Sequence, residues 1–299
     1  VVEEFAELMV DCRCTLGEGI LWCPQREVLL WTDIESARLW RYDPTTQRAQ
    51  HLNLPDRLGS FGLCESGQLL LGLAKGLFLA EPDWEANALP VLSLLTSVEA
   101  DEPRTRINDG RCDRAGNFVF GTLNEDTDRE PIGGFYQFSS QGLRRLDQSG
   151  VAIPNSICFS PDGATLYYCD SMQPRILCCD YDAASARVSN ARVFATLPHP
   201  GSCADGSIID AEGCLWNAQW GASRVVRYTP RGEIDRAVRI PAKNPSCVAL
   251  GGSRLNELVI TTARYGLDNE DLERLPESGG IYRCITQIQG LPESTVRFL

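Results

Sequence analysis

The sequence predicts an all-β fold: a six-bladed β-propeller with four-stranded antiparallel blades, one domain spanning residues 1–299. Three observations predict it. First, one weak pattern (a turn, a short apolar strand, then a small or polar residue) occurs six times, as EVLLWTD, GQLLLGL, GNFVFGT, ATLYYCD, GCLWNAQ and NELVITT. Second, the residues aligned in it, Trp31, Gly72, Gly121, Cys169, Asn217 and Thr261, are spaced by 41, 49, 48, 48 and 44 residues, a period that suits one four-stranded blade per copy. Third, the copies account for nearly the whole chain. All-β folds often reach this length as one unit.

Each blade can be followed in order. The innermost strand comes first, with entry segments LGEGILW, SFGLCES, INDGRCD, PNSICFS, ADGSIID and PSCVALG. Turns such as RAG at 114–116, PDG at 161–163 and AEG at 211–213 follow, where glycine supplies the positive φ of a tight hairpin. The shared apolar strand is next. A third strand then opens on a basic residue in several copies, Arg38, Arg175 and Arg224, and runs to a further turn. Either terminus, VVEEFAELMV or STVRFL, could complete the last blade.

Composition narrows the function. The 43% apolar content allows a large core, and no run of 18 apolar residues marks a membrane span. A formal net charge of −12 argues against nucleic acid, whose phosphates require Lys and Arg, and against anionic membranes. The acidic N-terminus lacks the basic start of a signal peptide. Thirteen cysteines without a CxxC pair read as small buried apolar residues in a reducing, hence cytoplasmic, compartment. There are only two histidines, His51 and His199, and neither HExxH nor GxSxG occurs. A histidine-activated Ser or Cys nucleophile is therefore disfavoured.

A propeller gathers the entries of its inner strands around one mouth. The residues read there are Glu18, Phe61, Asp109, Asn155, Asp205 and Pro245 or Ser246. Four carry side-chain oxygens. Singly, Asp-Gly and Asn-Ser are ordinary turn pairs. Converging on one axis, their carboxylates would repel unless protons or a cation neutralise them. Such an oxygen set suits calcium, magnesium or manganese and tolerates zinc.

At these residues the chain resembles the SMP-30/gluconolactonase/LRE family. The motifs are LGEGILW at 16–22, RINDG at 106–110, PNSICFSPDGATLYYCDS at 154–171, ADGSIIDAEGCLW at 204–216 and TTARYGLDNEDLERLPESGGIYR at 261–283. Ile20 and Ala204 stand where the family commonly has proline. The resemblance implies a six-bladed propeller and one divalent metal ion held by Glu18, Asn155 and Asp205. It also implies that Asp205 acts as general base, and that Arg106 and Asn108 bind a sugar lactone. A further acidic contact falls on Asp126 or Glu125. The implied reaction is metal-dependent hydrolysis of a sugar lactone to the aldonic acid. Two other functions fit the same fold: a calcium-binding regulatory or scaffold propeller without turnover, and an aryl-ester or organophosphate hydrolase. Arg106 could alternatively pair with Asp101 or Glu102. The acidic 124–133 loop suits either a lid or a solvated turn, and Trp220 either walls the pocket or fills space between blades.

Overall fold

The computed structural model describes residues 1–88 and 91–299 and is built from six sheets. Blade 1 pairs Gly17–Cys23, Val28–Asp33, Arg38–Asp43 and Arg48–Asn53 in that order. Blades 2, 3 and 4 repeat the arrangement from inner strands Leu58–Leu63, Thr105–Cys112 and Pro154–Phe159. Blade 5 starts at Cys203–Ile209 and blade 6 at Pro245–Gly251. Inner strands contact those of neighbouring blades all the way round, and blade 6 meets blade 1. Among the described residues, no helix is long and apolar enough to cross a membrane.

The N-terminus closes the ring. Glu7–Val10 pairs antiparallel with Ile281–Ile285 as the fourth strand of blade 6. Val2–Phe5 adds a fifth strand to blade 5, parallel to Ile234–Arg239. The C-terminal residues instead cross the far end of the channel. Val296 exchanges backbone hydrogen bonds with Leu63 and Glu65, and Glu293 pairs with Arg111 at 2.9 Å.

Why each copy reads as a continuous apolar run is visible in the packing. Leu29 and Trp31 enter a cluster shared with blades 5 and 6, whereas Val28 and Leu30 enter one shared with blade 2. Successive residues face opposite sides of a strand, so a strand sandwiched between blades is apolar on both. Eleven of the thirteen cysteines are buried, Cys12 and Cys203 are half-buried, and all are free thiols. The expected hairpin glycines 116, 163 and 213 have φ of 93°, 75° and 76°. Arg38, Arg175 and Arg224 do open the third strands of blades 1, 4 and 5.

Register corrects the alignment of the copies. Gly17 pairs with Asp33 and Glu18 with Thr32, as Pro154 pairs with Asp170 and Asn155 with Cys169. Asp33 and Asp170 also do the same work, each accepting two backbone N–H groups, from Thr15 and Leu16 and from Ala152 and Ile153 respectively. Thr32, not Trp31, is thus the equivalent of Cys169. Ala204 opposite Gln219 likewise makes Ala218, not Asn217, the match in blade 5. The pairs Leu58–Leu73, Ile107–Thr122 and Pro245–Thr262 then make the mouth ring Glu18, Gly59, Asn108, Asn155, Asp205 and Ser246. Phe61 and Asp109 leave it, and Asp109 lies one step deeper, at the place of Ser156. The slip arose because a strand apolar on both faces carries no alternation to mark its register.

All six inner strands also carry an irregularity in register just inside the mouth. A bulge re-aims the side chain beside it. In blades 1 and 4 it falls at Gly19 and Ser156, both in the left-handed region at φ 60° and 62°.

Candidate functional site

Around the mouth lies a pocket of about 250 Å³ lined on one side by Glu18, Arg106, Asn108, Asn155 and Asp205. Leu123, Ile153, Met172, Trp220 and Tyr265 are prominent in the remaining wall. Glu18, Asn155 and Asp205, from blades 1, 4 and 5, are therefore brought together, with Arg106 and Asn108 from blade 3 beside them. All five are buried.

Hydrogen bonds fix this polar side. Asn108 Nδ2 donates to Pro154 O at 2.9 Å and to Asn155 Oδ1 at 3.2 Å. Asn155 Nδ2 donates to Ser171 Oγ at 2.9 Å, and Ser171 donates on to Ala204 O at 2.7 Å. Ser171 thus locks the Asn155 amide with its oxygen turned away from the serine. Ser171 ends the PNSICFSPDGATLYYCDS segment, and nothing in its spacing marks it. Asp205 O accepts from Asn217 Nδ2 at 3.0 Å, which anchors the backbone beneath the carboxylate.

The carboxylates sit in a hostile field. Burial first, and the charge of Asp109 second, push Glu18 up to about 8. Burial, then the charges of Glu18 and Asp109, hold Asp205 well above the ordinary range. Asp205 Oδ1 is buried without a hydrogen-bond partner. Among the described residues, no three His, Cys, Asp or Glu side chains form a set able to hold an ion by themselves. An ion here would need the Asn155 amide oxygen as a third ligand. Two carboxylates, one with an orphaned oxygen, plus an oriented amide fit a hard divalent cation.

Arg106 donates from Nη1 to Ile107 O and Asn108 Oδ1, each at 3.0 Å. Its acidic neighbour is Glu125, 3.6 Å from Nε. Neither Asp101 nor Glu102 pairs with it; Glu102 is held by Arg104. Asp126 is exposed and does not line the pocket. The 124–130 segment folds on itself, Asn124 Nδ2 donating to Asp128 and to Glu130 O at 3.0 Å each, as a surface turn. Trp220 lines the pocket rather than filling the space between blades. Ile153, Met172 and Tyr265 were not anticipated, because apolar wall residues look like core residues in sequence.

Known proteins share this architecture. The family model for the SMP-30/gluconolactonase/LRE-like region matches residues 16–264. An L-arabinolactonase of Azospirillum brasilense is 43% identical over 297 residues, covering 98% of this chain and 95% of that protein. A 6-deoxy-6-sulfogluconolactonase of Pseudomonas putida is 31% identical, with 98% of each covered. The crystal structure of a calcium-binding protein, regucalcin, from Agrobacterium tumefaciens superposes with a TM-score of 0.91 at 29% identity, covering 99% of this chain and 98% of that one. The chain belongs to the SMP-30/gluconolactonase/LRE-like family.

Proposed function

We propose that this protein is a sugar lactonase that hydrolyses an aldonolactone to the aldonic acid with the help of one divalent cation. The observation that carries the reading is the orphaned, buried Oδ1 of Asp205 beside Glu18 and Asn155, at a pocket whose polar edge is Arg106 and Asn108. The names of the L-arabinolactonase and sulfogluconolactonase relatives support the substrate class.

Glu18, Asn155 and Asp205 would hold the cation. When bound, it supplies Lewis-acid polarisation of the lactone carbonyl and favours the ionised carboxylates. Arg106 and Asn108 bind the ring through its hydroxyl oxygens and set the carbonyl carbon above the mouth. The Asp205 carboxylate, through the oxygen not engaged by the cation, takes a proton from water as that water's oxygen attacks the carbonyl carbon. The ring C–O bond then breaks, and the same proton passes to the departing alkoxide oxygen. The apolar wall of Leu123, Met172, Trp220 and Tyr265 limits competing water.

That wall also favours a second reading, hydrolysis of aryl esters, because Trp220 and Tyr265 could face an aromatic ring. One experiment separates the two. Purified protein is stripped of metal and reloaded with calcium, magnesium, manganese or zinc. It is then assayed on a panel of aldonolactones, phenyl acetate and an organophosphate, with Asp205→Asn as control. The proposal expects cation-dependent opening of aldonolactones and its loss in the variant. Turnover of phenyl acetate alone moves the assignment to the second reading, and no hydrolysis with any ion removes both.

A further inference from the structure

Beside the pocket stands a second arginine that the proposed chemistry does not use. Arg57 immediately precedes the inner strand of blade 2, and the register of Leu58 with Leu73 and of Ile107 with Thr122 makes it the equivalent of Arg106. The two guanidinium groups converge on one carboxylate. Arg57 grips both oxygens of Glu125, with Nη2 3.0 Å from Oε2 and Nη1 on Oε1. Arg106 Nε lies 3.6 Å from Oε1, too far for a good hydrogen bond, and this buried donor has no partner.

We propose that Arg57 is a positioning residue for the lactone pocket: it holds Glu125 in a bidentate grip, and Glu125 so held sets the guanidinium of Arg106 toward substrate hydroxyls. This rests on the lactonase reading. A bidentate pair fixes a carboxylate in plane as well as in place. Released from Arg57, Glu125 is free to close onto Arg106 Nε and take the donor that the ring needs. The other nearby basic groups cannot substitute. Arg104 is committed to Glu102 and Glu130, and Lys75 to Thr105 Oγ1 and the carbonyls of Glu99 and Glu102. Arg57 and Glu125 are each about a third exposed, at 30% and 31%. A pair that open to solvent adds little to stability. Its effect belongs in substrate binding.

The test uses Arg57→Gln, Arg57→Lys, Glu125→Gln and the double variant Arg57→Gln/Glu125→Gln. Each is assayed on an aldonolactone and on γ-butyrolactone, which has the cyclic ester but no hydroxyls. Calorimetry of the aldonate product gives a readout independent of turnover. For Arg57→Gln, KM for the aldonolactone should rise about tenfold, with kcat changed less than about twofold. The aldonate should bind about tenfold more weakly, and γ-butyrolactone kinetics should not move. Arg57→Lys should recover only part of the loss, since a lysine cannot grip both oxygens. The double variant should lose clearly less than the sum of its singles, and strict additivity would count against action through Glu125. Equal losses on both lactones, or unchanged aldonolactone KM and aldonate affinity, overturn the role of Arg57. A wild-type protein that opens neither lactone overturns the lactonase reading itself. In that case aldonate affinity decides about Arg57: equal in wild type and Arg57→Gln counts against it, a tenfold drop for it.

Discussion

Asp205 and Glu18 carry the pH behaviour of the mouth. Both have folded-state pKa values raised by burial and by neighbouring negative charge, Glu18 from the ordinary 4.5 to about 8. A raised carboxyl favours the fold in its protonated form. Its stabilising contribution is complete below the unfolded value and is lost as pH rises through the folded one. Cation-free protein should therefore lose thermal stability between about pH 4.5 and 8. A divalent cation should restore it, raising Tm more at the top of that window than at the bottom; a gain that does not vary with pH would count against the pair as ligands. Asp205→Asn should lower kcat by about 10²- to 10⁴-fold, the range of a general base. Ser171→Ala should leave the fold intact but weaken cation binding by about 10- to 100-fold, because Ser171 orients a ligand amide. Calorimetric titration with manganese checks this.

At the scale of the strand, the inner strands both made the site legible and hid part of it. Glu18, Asn155 and Asp205 could be found because their segments, GEG, PNS and ADG, match the family's motifs and recur at the period of the blades. Gly59 and Asn108 could not be placed from spacing. The second strands beside them are apolar on both faces and the inner strands carry a bulge inside the mouth, so counting back from the apolar run selects Phe61 and Asp109 instead. Glu125 against Asp126 was a choice between neighbours on a turn, where no periodicity helps. Gly59 has its own reason to be glycine: a Cβ there would collide with the backbone carbonyl of Ile107 in the adjacent blade. Gly59→Ala should thus cost about 1–3 kcal/mol through forced backbone shifts. Chemical denaturation tests this, and a neutral result would mean that blades 2 and 3 are less tightly apposed than described.

Over the whole molecule, ring closure and the channel's far end were the features the sequence left open. Both termini carry strand-like sequence, and only three-dimensional pairing assigns the N-terminus to blades 5 and 6 and the C-terminus to the channel floor. The floor is anchored by Arg111 and Glu293, with side chains 13% and 9% exposed. Removing one partner strands a buried charge, so Glu293→Ala should cost about 3–5 kcal/mol, read by equilibrium unfolding. The mouth lies at the opposite end, so the affinity of its folded state for cation should barely change. The central claim is that three residues from three blades make one cation site on which lactone hydrolysis depends. Its most direct measurement is a cation titration and lactone assay on Glu18→Gln, Asn155→Ala and Asp205→Asn in parallel. The account predicts that each variant loses cation affinity and cation-dependent turnover together, while its circular dichroism stays that of the wild type. Full affinity and full turnover in any one of the three would contradict it.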